Sequence, residues 1–277
     1  MSRSYRAAVA APGKYRAVGN EPDGEWSPFD SGPERHHSLW LSTMDPLDPP
    51  ISIVLALWAP VPSSHGLSLV QGPDGVHDVI GAPADDGGAE RVDLERWLTG
   101  ARPLSRVTAV LPTAGSGTWG ILPDVEEGVV VEGAPGRVLL VPENSGASMT
   151  WHAEPLTGPL PPLDAAHARR QVHAATEEAI DSLIELDLAR EHPEVADALN
   201  DLLTAVADPR LIPPWLPERN RELLERSLRL IGICELALDD DGAATTALQA
   251  QRRSDVLRPL LAVARHGAAA ATEWWAR

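Results

Sequence analysis

The chain has 277 residues, 43% hydrophobic and 23% charged, a composition that builds a globular core and excludes a disordered or membrane-embedded class. There are 20 acidic and 10 basic residues through position 162 (−10) and 20 and 13 beyond it (−7), a formal charge of −17 in all. Neither half offers the basic footprint that nucleic-acid backbones or anionic membranes need, so no nucleic acid and no membrane is expected as a partner.

In chain order, residues 15–37 are rich in Gly, Pro and charge, and short apolar runs follow at 37–44, 51–59, 67–71 and 76–80. Each is bounded by Pro, Gly or Asp, the punctuation of strands. Leu94, Trp97 and Leu98 step by three and four, which predicts a short helix over 93–99 closed by Gly100. Strand-like runs resume at 106–111, 119–122, 128–132, 137–141 and 148–152, so the first half reads as mostly β.

The proline-rich stretch GPLPPLDAAH marks a change of texture. Beyond it Val172, Ala175, Ala179, Leu183 and Leu186 share one helical face. A second helix is expected from Pro193, with Val195, Leu199, Leu202, Leu203 and Val206 as its stripe. A third, after PPWLP, is apolar over a wide surface through Leu223, Leu224, Leu228, Ile231 and Cys234. A fourth follows DDDG, with a kink expected near Asp255 because Pro259 lacks an N–H. The expected fold is therefore α+β: a β-rich N-terminal domain over 1–157, followed by an all-α bundle domain of about four helices over 163–277.

Among motifs, Gly115, Gly117 and Gly120 match G-x-G-x-x-G. A dinucleotide site also needs a helix opening at the glycines, and the text that follows carries Pro123, Gly128 and a run of valines. A turn between strands is the expected role, and no cofactor is assigned. The only lysine, Lys14, is followed by no Ser or Thr of a phosphate loop, and neither G-x-S-x-G nor H-E-x-x-H occurs. A di-iron centre needs Glu three residues before His on a helix. None of His167, His173, His192 or His266 has it; Asp164 with His167 comes nearest, and Glu34 precedes His37 in a loop-like segment.

His36, His37, His65, His77 and His152 converge on a metal only if the strands curl into a barrel; solvated or hydrogen-bonded histidines at strand ends are the favoured reading. The run GRVLLVPENSG resembles the second cupin motif at Gly136 and Pro142. It departs from that motif in the distance to His152 and in lacking an upstream H-x-H with a following Glu, and it identifies no family. Cys234, the lone cysteine, allows no intramolecular disulfide and stands among apolar residues at helical spacing as a buried thiol. Glu222 with Arg226 and Glu225 with Arg229 are spaced as surface ion pairs. Trp40, Trp58, Trp119 and Trp151 fall in strand-like runs, where aromatic rings fill a core. Trp274 and Trp275 end the last helix, where adjacent side chains leave about 100° apart, so the tail is expected to dock the two halves or to join a second copy.

No signal-like or membrane-spanning apolar run occurs, and a cytoplasmic protein is expected. No catalytic or metal set is assigned. The expected function is a non-catalytic interaction or accessory protein with a protein partner or a homodimer contact. The alternative is a small-molecule-binding protein or enzyme with a pocket, histidine-metal included, in the β-rich half.

Overall fold

The computed structural model describes residues 47–72, 75–81, 91–113, 125–144, 148–157, 160–186, 201–202, 204–239 and 247–276. The expected strands at 37–44 and 119–122, the glycines at 115–120, His36, His37, Trp40 and most of the second expected helix lie outside these residues.

The run ISIVLALW forms helix α1 (Ile51–Trp58), not the expected strand. An apolar run of this length suits a buried strand or a buried helix, and periodicity does not separate them. Its last seven residues are buried, as in a helix hidden on every side. Pro50 offers α1 no side-chain cap, and the Glu127 carboxylate accepts the Ser52 N–H at 3.0 Å instead. The run at 67–71 is likewise helical, in α2 (Ser64–Gln71). The signal lies upstream: Ser63 Oγ accepts the Gly66 N–H at 3.1 Å, an N-cap that starts a helix before the apolar residues arrive.

Strands β1 (Asp78–Ile80) and β2 (Val92–Asp93) precede α3 (Leu94–Gly100). Asp93, expected as the first residue of this helix, instead caps it by accepting the Arg96 N–H at 2.7 Å, and Gly100, expected as its stop, is its last residue. Then come β3 (Arg106–Val110), β4 (Gly128–Gly133), β5 (Gly136–Asn144) and β6 (Met149–Pro155), followed by α4 (Ala165–Leu186), α5 (Glu218–Asp239), α6 (Ala247–Thr272) and β7 (Trp274–Trp275). Residues 201, 202 and 204 are also helical, whereas Val206, expected on a buried stripe, lies past that helical stretch and is 59% exposed. Helix α6 runs on through Pro259.

The fold is α+β. The seven strands form one sheet in the order β2-β1-β6-β5-β4-β3-β7, with β1 and β6 parallel and the other pairs antiparallel. Alternation along each strand gives it two apolar faces. Val107, Ala109, Val129, Val131 and Trp151 join α1 and the long helices in the main core. Val110, Val130 and Leu139 face the other way and are covered by Leu160 of the proline-rich stretch. Texture changes from strand to helix over 156–164, and the main core continues across that change, from Ile53 and Val107 to Val172, Leu223 and Ala268.

The end of the chain differs from expectation in form. Thr272 Oγ donates to the Ala269 carbonyl at 2.7 Å and accepts the Ala109 N–H at 2.9 Å, so α6 stops against the edge of β3. Trp274 and Trp275 are strand residues opposite Val107 and Arg106, and so alternate across the sheet instead of lying side by side on a helix. The expected docking of the tail onto the β-rich half is present.

Cys234 is fully buried in α5, packed with Leu257 and Leu260 of α6, and burial pushes its thiol up to about 12. Native protein should therefore resist thiol reagents at neutral pH, with rapid labelling only on unfolding. Cys234→Ala should lower stability by about 1 kcal/mol, as loss of a small buried group does.

Candidate functional site

The end of α1 leaves backbone carbonyls without intrahelical partners. Arg102, just past α3, supplies them: Nη2 donates to the Ala59 carbonyl at 2.8 Å and Nη1 to the Pro60 carbonyl at 3.2 Å. The chain then turns through Val61 and Pro62 into α2. Helices α1, α2 and α3 thereby enclose a groove of about 270 Å³. Leu55, Trp58, Val70 and Leu98 give it an apolar lining, and Ser63, Ser64, Glu95, Thr99 and Arg102 bring polar groups to it. Gly66 permits the close approach of α2 to α1, because a Cβ there would meet Trp58 Cε3 at 2.6 Å.

Trp58 is the hub of this region. Its Nε1 donates to the Leu211 carbonyl at 2.9 Å, and its ring meets His65 and Trp215 edge to face at centroid distances of 5.5 and 5.0 Å. Trp215 is 40% exposed, as is Val61 on the groove wall. Trp58 thus joins the groove wall to the exposed Trp215 ring.

The polar groups have unequal freedom. Ser63 is occupied by its cap, and Thr99 Oγ donates to the backbone carbonyl of Glu95 at 2.8 Å. Glu95 is exposed, while Arg102 is half-buried. Burial lowers the Arg102 guanidinium from its ordinary value, and among the described residues no carboxylate ion-pairs with it. Two of its five donors are engaged.

The expected histidine positions are spread out. His65 stands on α2 against Trp58. His77, fully buried, accepts from Trp151 Nε1 at 3.4 Å. His152 pairs with Glu143 at 2.6 Å on the exposed part of β6 and β5. Among the described residues no three or more His, Cys, Asp or Glu group as metal ligands. Asp164 caps α4, accepting the Ala166 and His167 N–H groups at 2.8 and 3.1 Å, and these bonds hold its carboxyl below the usual range. Glu225 and Arg229 form their expected pair at 3.6 Å. Trp151 is a core residue, as expected, whereas Trp58 works from a helix.

A second polar cluster went unread in the sequence. Arg106, wholly buried on β3, points to the face covered by the proline-rich stretch. It donates to the Leu160 and Pro161 carbonyls, both at 2.9 Å, and Nε reaches Glu273 at 2.9 Å. Glu132 lies at 3.5 Å, and the Trp275 ring centroid at 4.8 Å. Every element it touches is structural, so the cluster reads as a lock and not as a reactive site. Arg106 has only Val and Thr for near neighbours in its strand, and that isolation of a charge in an apolar run was the available signal.

Residues 166–269 match the family model described as Rv1486c-like protein, C-terminal domain. The match spans less than half of the chain and runs from α4 into α6. No curated protein and no solved structure matches the chain. No helix among the described residues is long and apolar enough to cross a membrane.

Proposed function

We propose that the chain is a non-catalytic interaction or accessory protein of the cytoplasm, and that the groove beside α1 is where it takes a protein partner or a second copy of itself. The observation that supports this most is the exposure of Val61 on the groove wall and of Trp215 packed on the groove residue Trp58, since exposed apolar residues framed by polar groups are the usual form of a recognition surface. The acidic composition agrees with a freely diffusing protein that stays clear of nucleic acid.

Val61→Asp tests the reading. The position is exposed, so the melting temperature should stay within about 2 °C, a surface effect of about 0.5 kcal/mol. Recovery of the partner with the tagged chain from its own cells should fall at least tenfold. Undiminished recovery, or a wild-type chain that is monomeric and without partners, would refute the reading.

A second reading keeps the same groove and makes it a small-molecule site in the β-rich half. Its support is the groove's volume of about 270 Å³, near the lower end for ligand pockets, together with a guanidinium in its wall that ion-pairs with no carboxylate among the described residues.

A further inference from the structure

The inference rests on the second reading above, that the groove holds a small ligand, and names the ligand's chemistry. We infer that the groove binds a small monocarboxylic acid, its apolar body against Leu55, Trp58, Val70 and Leu98 and its carboxylate on Arg102.

The volume sets the size of the body. A dry cavity of about 150 Å³ accepts benzene, so an open groove of about 270 Å³ has room for roughly ten non-hydrogen atoms. Apolar side chains surround most of that space, which favours a hydrocarbon chain or a single fused ring over a sugar or a nucleotide.

The charge sets the head group. Arg102 is a half-buried cation whose engaged donors go to neutral carbonyls of Ala59 and Pro60. A guanidinium presents its donors in a planar fork that fits a carboxylate with two parallel bonds. Its burial is uncompensated by any ion pair among the described residues, and an incoming carboxylate would supply the missing anion. Glu95 is the groove's own carboxylate, but it is exposed and its field is weakened by water. Ser64, also exposed, is a further hydroxyl in the groove lining.

The test is calorimetric titration of the full chain at pH 7 with octanoate, octanamide and octanol, which share one hydrocarbon body. Octanoate is expected to bind saturably at one site and roughly tenfold to a hundredfold more tightly than octanamide, the range of one charge-assisted hydrogen-bond pair. Arg102→Gln should erase that preference, and Arg102→Lys should keep part of it. Because Arg102 also caps α1, the comparison of the three ligands on the unaltered chain is decisive by itself. Equal binding of octanoate, octanamide and octanol would overturn the carboxylate inference and leave the small-molecule reading standing. Binding of none of the three would overturn both.

Discussion

Arg106→Met should destabilise the protein by about 3–5 kcal/mol, the usual cost of removing one partner from a buried ion pair, and lower the melting temperature by on the order of 10 °C. Glu273 is almost wholly buried beside it, and the variant leaves that carboxylate without its cation. The Leu160 and Pro161 carbonyls lose their donors at the same time, so the cover over the second sheet face loosens along with the tail. A chain ending at Ala271 lacks Glu273 and Trp275, two of Arg106's partners, and also Thr272, which caps the β3 edge. It should lose a comparable amount. Since both changes break one network, their combination should cost clearly less than the sum. Denaturant unfolding of the four chains measures this; strict additivity would mean that Arg106 and the tail act separately.

Gly267→Val is the second large effect, with Gly267→Ala as its milder form. Three helices meet at Gly267: a Cβ there would stand 2.5 Å from Ser227 Oγ of α5 and 2.7 Å from Val172 Cγ2 of α4. At those distances something must shift, whether the Ser227 hydroxyl, the Val172 methyl or a helix, and overpacking of this kind costs about 1–3 kcal/mol. Alanine returns up to about 1 kcal/mol through its better helix propensity, so the net loss should be modest for Ala and larger for Val, whose branches need still more room. Ser227 Oγ is buried with no hydrogen-bond partner among the described residues, so Ser227→Ala alone should be neutral or stabilising. Added to Gly267→Ala it should recover part of the loss. Thermal denaturation of the single and double variants decides; a Gly267→Val protein as stable as the wild type would contradict the close approach of α4, α5 and α6.

How much of this was legible depended on whether a signal was local. Asp93 before an apolar triplet gave α3 its start, the β-branched residues of β4 read as strand, and Leu223 to Cys234 read as one buried helix face. These elements carry their own patterns. Helix α1 does not: ISIVLALW has no polar face to reveal a period, and its cap, Glu127, comes from far along the chain. The tail was misread as helix because its fate is set by a partner, the β3 edge, that only the folded chain brings near. The groove was invisible for a related reason. It needs Arg102 to close the end of α1 across more than forty residues, and it needs 64–71 to be a helix, which one serine cap decides.

The role of the groove as the recognition surface is tested most directly by a photo-crosslinking residue placed at Val61 in the full chain and activated in the cell, with Val76 as the comparison. Both side chains are exposed, and only Val61 lines the groove. A discrete heavier product from position 61, absent from position 76, is the predicted result, its mass separating a second copy from another protein. No discrete product at position 61, or the same products from both positions, would contradict the account.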